Sequence, residues 1–286
     1  MSIIPPDDEE IRYQISKINE LPSLPQSFER LIDIIRSEID APGELESLIS
    51  YDPSLAAKLV MVANSSYYGH RGKVTTLSRA INIIGLYQAK SICICALLMN
   101  VLANGHSISA VYREMLWKHS FVTSRALVEV NKKRPWLDRE EASLLGLLHD
   151  LGWIVMAAHF KDQFTAVFEA AERRKIPSWC AETHYGIVHT QLGKYLAARW
   201  AFPEVLKAAI EFHHFPEKSK SFKAEVKLTY LANVLSHSRD FPELVSDEVT
   251  MLHCRELNIS EEEWQEYQEK VQLIWDEVDE LWNLLK

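Results

Sequence analysis

Apolar residues recur at spacings of three and four along nearly the whole chain, and runs that alternate with period two are hard to find. That periodicity places side chains on one face of a helix, whereas a half-buried strand needs strict alternation. Glycine is scarce, 9 in 286 residues. The fold class expected is therefore all-α. Ile11, Ile15 and Ile18 mark a first helix, stopped near Leu21-Pro22-Ser23-Leu24-Pro25, and Phe28, Leu31, Ile32 and Ile35 mark a second. Asp52 ahead of Pro53 reads as an N-cap acceptor with proline in the first turn. That helix carries Leu55, Leu59, Val60 and Ala63 and breaks at Asn64-Ser65-Ser66; the next starts near Thr76 and ends at Gly85. Residues 108–132 and 138–160 read as two long helices, the second opened by Asp138 with Glu141 three residues on. Shorter helices are expected over 161–175, 187–200, 203–213 (with Pro203 at its first position) and 222–238.

Composition narrows the function classes. A formal net charge of −9 disfavours nucleic-acid binding, which needs a basic surface to displace phosphate counterions. No stretch approaches the ~20 apolar residues of a membrane span, and the longest run, Ile92 to Met99, reads as a buried helix. The first ten residues are acidic with two prolines and lack a basic leader pattern. Cys93, Cys95, Cys180 and Cys254 make no CxxC and read as reduced thiols, which gives a cytoplasmic expectation.

The C-terminal segment carries its own pattern. Ser260 and Glu263 form a capping box, followed by Trp264, Tyr267, Val271, Ile274, Val278, Leu281 and Leu285 at alternating spacings of 3 and 4. That heptad seam is about three repeats long, enough to suggest a coiled coil. It packs either on the chain's own body or on a partner, a second copy of the chain included.

The candidate chemistry lies in histidines on apolar helices. His149-Asp150 sits inside Leu144-Leu145-Gly146-Leu147-Leu148-His149-Asp150-Leu151-Gly152, where burial is costly without partners for both side chains. A divalent metal is one such partner. His119 lies on the preceding helix, and antiparallel packing brings it level with His149. His189 and the pair His213-His214 follow downstream. A lone histidine on an apolar face is ordinarily a hydrogen-bonded core residue; five with an aspartate are harder to explain that way. Tyr67, Tyr68, His70 and Arg71 form an aromatic and basic loop, read either as a turn or as a contact for a ligand or partner. Glu182 and His184 read as a polar pair near His189 or as solvated residues.

The order His…His-Asp…His…His-His resembles the HD phosphohydrolase superfamily, and the N-terminal half resembles its HDOD branch. The matching pieces are Leu21-Pro-Ser-Leu-Pro25, Leu48-Ile-Ser-Tyr-Asp-Pro-Ser-Leu55, Ala63-Asn-Ser-Ser66, Ala80-Ile-Asn-Ile-Ile-Gly85, Trp117-Lys-His-Ser120, Gly146-Leu-Leu-His-Asp150, Gly186-Ile-Val-His189 and Trp200-Ala-Phe-Pro203. They cover roughly residues 20–236. The resemblance implies an HD-like helical bundle with an N-terminal helical portion and a C-terminal helical extension. It divides the chain into a tail (1–19), an HDOD domain (20–240, its portions 20–107 and 108–240) and an extension (241–286).

By the same resemblance His119, His149, Asp150, His189, His213 and His214 fall on metal-ligand positions. Two departures stand out. Catalytic relatives of the HD-GYP type carry a lysine three residues after the His-Asp pair, where this chain has Trp153. A last aspartate is expected where Asn233 stands, which offers a carbonyl oxygen without the charge. The segment after His214 also lacks the glycine-rich GYP loop. The implied function is therefore a non-catalytic output or adaptor in bacterial signal transduction, acting on sensor or receiver proteins in trans, with a degenerate metal site. The alternatives are a metal-dependent phosphohydrolase, holding iron, manganese or zinc, and a sensor that binds a nucleotide or cyclic dinucleotide.

Overall fold

The computed structural model of the chain describes residue 30, residues 42–65, residue 68, residues 74–105 and residues 108–285. The helices expected on Ile11 to Ile18 and on Phe28 to Ile35 lie outside these residues, as do Tyr67, His70 and Arg71. Every regular element among the described residues is helical. The first four are α1 (Pro42–Ser50), α2 (Pro53–Ala63), α3 (Leu77–Ile84) and α4 (Leu86–Gly105). Asp52 accepts from the Ser54 and Leu55 amides at the start of α2, and Thr76 from Arg79 at the start of α3. The Asn64 side chain closes α2 by bonding Val60 O and both backbone groups of Val74. Helix α1 was not anticipated; its buried residues, Leu45, Leu48 and Ile49, span little more than one turn, too few for a periodic signal.

Helix α5 (Ala110–Asn131) is buried along much of its length, and α6 (Arg139–Leu148), α12 (Lys223–His237) and α14 (Glu261–Leu285) pack along it. Asp138 caps α6 through the Glu141 amide at 2.7 Å. Between these come α7 (Leu151–His159), α8 (Lys161–Arg174), α9 (Ser178–Glu182), α10 (His189–Arg199) and α11 (Glu204–Phe212), and α13 (Glu248–Glu256) precedes α14. Pro203 sits at the N-cap of α11 and not inside it. The helix expected over 138–160 is two, α6 and α7, broken at His149-Asp150. There the His149 Nδ1–H donates to Gly146 O at 2.8 Å and takes a carbonyl that a continuing helix would offer to the Asp150 amide.

The heptad seam, over the side chains described, packs inside the molecule. Trp264, Tyr267, Val271, Ile274, Val278 and Leu281 are all buried within the single chain, with α14 lying against α5, α2 and α12. A seam that packs on the chain's own core is not free for self-association, so the partner-helix expectation gives way to the intramolecular one. The capping box that opens this helix is formed reciprocally, Ser260 and Glu263 each holding the other's amide at 3.2 Å. Cys93 and Cys95 fill core space. No single helix among the described residues is long and apolar enough to cross a membrane.

Candidate metal centre

Helix ends converge at one buried point. His149 ends α6, Asp150 begins α7, His189 is the first residue of α10, and His213-His214 follow α11. His119 projects from the middle of α5, and Asn233 and His237 lie one turn apart on α12. Two glycines permit the approach. A Cβ on Gly146 would stand 2.4 Å from the Ser124 Cα, and one on Gly152 would stand 1.7 Å from the His189 carbonyl oxygen. The α6–α5 and α7–α10 backbones therefore touch on either side of the His-Asp pair, which brings His119 to one side of Asp150 and His189 to the other.

Asp150 divides the centre into two pockets. On one side His119 Nε2, His149 Nε2 and Asp150 Oδ2 form a triangle with edges of 3.2, 3.3 and 3.3 Å. On the other, His189 Nε2, His213 Nε2 and Asp150 Oδ1 form one with edges of 3.2, 3.3 and 3.3 Å, and His214 joins as a fourth donor. Every histidine of the candidate metal set, His119, His149, His189, His213 and His214, is thus brought to the centre, as is Asn233, which is buried beside His119.

The outer nitrogens fix which ring atoms face inward. His149 Nδ1 faces the Gly146 carbonyl, and His213 Nδ1 faces the Ala209 and Ile210 carbonyls at 3.1 and 3.0 Å. His189 Nδ1 lies 2.8 and 2.9 Å from the Glu182 carboxylate. His119 Nδ1 lies 3.1 Å from Ser236 Oγ, whose own proton goes to Asn233 O while Thr123 donates to it. Each partner accepts, so each Nδ1 carries the proton and, in the neutral ring, each Nε2 is a bare lone pair. Four lone pairs and two carboxylate oxygens pointed at one another are repulsive unless a cation lies among them. A tetrahedral ion with bonds of about 2.0–2.1 Å spans edges of about 3.3 Å, the spacing found in both pockets. The residues present therefore fit a divalent metal, and Asn233 Oδ1, buried with no hydrogen-bond partner, is a further available oxygen.

The electrostatics agree with that reading. Burial opposes charge on Asp150, yet the surrounding imidazoles, His149 first, hold its carboxyl well below the usual range. Burial also disfavours the charged form of His189, but Glu182 and Asp150 on its two sides overcome this and push its pKa up to about 10. Burial pulls His213 down to about 4 and His214 and His237 well below their ordinary value. Burial also pushes the Glu182 carboxyl up, so without a metal one proton held between His189 and Glu182 takes the cation's place.

Aromatic rings close the surroundings. Trp153, where the resemblance expects a lysine, stacks on His189 at 4.5 Å and 8°. Trp179 of α9 stacks on His214 at 4.5 Å and lies 4.9 Å from His237, whose ring lies 4.3 Å from His119. Glu182 belongs to this inner set and not to a pair with His184, which is exposed. Trp179, Ser236 and His237 were not singled out by the sequence; only His237, four residues after Asn233 on the same helix face, carried a signal. Tyr68 lies elsewhere, half-buried in a cleft with Ser65, Arg125 and Glu277.

The HDOD domain family model matches residues 21–216. An uncharacterised protein of Treponema pallidum (strain Nichols) is 26% identical over 227 residues, which is 76% of this chain and 42% of that protein; the chain thus spans less than half of that relative. Among solved structures, an HDOD domain protein of unknown function from Geobacter sulfurreducens is similar with a TM-score of 0.78, 23% identity and coverage of 96% of this chain and 97% of that one. A candidate signal-transduction protein from Marinobacter aquaeolei VT8 gives 0.80, 22%, 97% and 65%. A candidate phosphohydrolase from Shewanella amazonensis SB2B gives 0.70, 21%, 96% and 98%. At these identities the likeness is one of fold. With well over half its length matched by the family model, the chain belongs to the HDOD domain family.

Proposed function

We propose that this chain is a non-catalytic signalling output protein whose histidine centre holds a divalent ion, zinc by the spacing of its donors, as part of its architecture. It acts on sensor or receiver proteins in trans. The observation that carries this reading is the pocket of Asp150, His189, His213 and His214. Three donors already stand at tetrahedral spacing and His214, with its nitrogen within 4.8 Å of them, is the fourth that fills the shell, whereas a catalytic site keeps a position open for water or substrate. The surroundings point the same way: Trp153 covers His189 and Trp179 covers His214. The signalling half of the reading rests on family membership and on the likeness to the Marinobacter protein.

The test is elemental analysis of protein purified without chelator or histidine tag, beside Asp150→Ala, with a parallel assay for phosphate release and cyclic-dinucleotide cleavage. The expected result is near-stoichiometric metal that is lost in the variant, with no turnover. Turnover that disappears in His149→Ala would establish a phosphohydrolase instead. A rise in thermal stability with a nucleotide, without turnover, would make the chain an effector sensor, since a ligand that binds the folded state stabilises it.

A further inference from the structure

We infer that the two pockets load unequally: one divalent ion resides with His189, His213 and His214, its charge balanced by the buried carboxylate of Glu182, and the His119–His149 pocket fills only at higher metal concentration. This deepens the metal reading above and rests on it.

Glu182 is 2% exposed. Both of its oxygens are committed to His189, whose backbone amide it accepts at 2.8 Å and whose Nδ1–H it accepts at 2.8 and 2.9 Å. No lysine or arginine pairs with it among the described residues. A buried carboxylate without a countercharge is costly. Here the countercharge is reached through one imidazole ring, the arrangement by which a carboxylate makes a metal-bound histidine a stronger donor.

Counting formal charges then sets the number of ions the centre balances. Asp150 and Glu182 bring two negative charges to the interior, and the inward-facing neutral rings bring none. One divalent ion leaves the centre neutral, whereas two leave two positive charges uncompensated in a buried volume.

The backing groups point the same way. The His189 side has a carboxylate behind one ring, carbonyls behind another, and His214 as a fourth donor. The His119 side has a hydroxyl behind one ring and a carbonyl behind the other. Its additional oxygen is the neutral Asn233 amide. Glu182 is therefore a positioning and charge-balancing residue that acts through His189, and Asn233 is what leaves the second pocket weak.

The experiment uses the full chain and zinc. Elemental analysis after dialysis, followed by titration against a chromophoric chelator, should find one zinc retained per chain and a second taken up at roughly 10- to 100-fold higher free zinc. Glu182→Gln keeps the shape and an acceptor for the Nδ1–H but removes the charge. It should weaken the first ion about 10- to 100-fold while circular dichroism stays unchanged. Asn233→Asp supplies the missing charge to the other pocket and should bring the retained zinc to two per chain. Two ions of equal affinity in the wild type, or a folded Glu182→Gln that holds zinc at wild-type strength, would overturn the inference. If Glu182→Gln does not fold, the wild-type titration and Asn233→Asp decide it. Failure to take up any zinc would overturn the metal reading and this inference together, whereas two equal ions overturn the inference alone.

Discussion

Two faces of α5 meet opposite kinds of neighbour. Trp117 and Phe121, one turn apart and stacked at 5.2 Å, face α14, where Trp282 closes on Trp117 at 5.3 Å. Lys118–Asp279 at 2.7 Å and Arg125–Glu277 at 2.9 Å flank that contact. His119 and Thr123, also one turn apart, meet Ser236 of α12 and the metal centre. Two residues along a helix turn the direction by about 200°, so a shift of two positions separates an apolar seam from a polar cluster. The apolar face owes its stability to area removed from water, which tolerates modest change in shape. The polar face depends on every donor having an acceptor, because a buried polar group left unpaired costs more than a typical hydrogen bond contributes.

That contrast is most severely tested by ending the chain after Ile259, which removes α14. Six apolar side chains from Trp264 to Val278 leave the core, the larger ones each worth about 2–5 kcal/mol when lost, against a total stability of about 5–15 kcal/mol. No cooperative thermal unfolding transition is expected. A monomeric, cooperatively folding truncation would show that the seam is dispensable and revive its role in association.

Gly146→Ala comes next, because its Cβ would stand 2.4 Å from the Ser124 backbone and would pry α6 from α5. A loss of about 3 kcal/mol or more is expected in urea unfolding, together with loss of metal. A variant of wild-type midpoint would mean that the two backbones can separate without cost.

Ser236→Ala probes the polar face alone. It leaves His119 and Thr123 without their shared acceptor, at about 1–3 kcal/mol. It should weaken zinc uptake in the His119–His149 pocket about 10-fold and leave the ion beside His189 in place. Equal weakening of both ions would show the pockets to be one coupled site.

The smallest effect belongs to the rim of the apolar face. Glu263 pairs with Arg134 at 2.6 Å, and that guanidinium holds its carboxyl down to about 2 from the ordinary 4.5. A carboxyl depressed on folding contributes stability above its unfolded pKa and loses it as pH falls through the folded one. The contribution is full above pH 4.5 and gone near pH 2. Both side chains are about a fifth exposed, so solvent screening limits it to about 1 kcal/mol or less. Glu263→Gln should flatten the acid limb of the stability curve in that window, and an unchanged limb would mean that the pair contributes nothing.

The amino-acid sequence determined what short-range contacts settle. Asp52, Thr76, Asp138 and Ser260 cap their helices through amides two or three residues on, and the stripe from Trp264 to Leu281 repeats with the helix turn. His119, His149, His189, His213 and His214 were legible as an ordered set through their order along the chain, which is the pattern that the resemblance rests on. Only the tertiary structure decided where the stripe packs, since an apolar face does not specify its partner. It also decided the break at His149-Asp150, which depends on a side chain capturing the Gly146 carbonyl. The pairing of Glu182 with His189 and the cover of Trp179 over His214 were settled at the same level: α9 carries both residues to the centre, and in sequence Glu182 had His184 as the nearer partner. Spacing reveals which side chains share a helix face; which faces meet follows from backbone approaches such as those at Gly146 and Gly152.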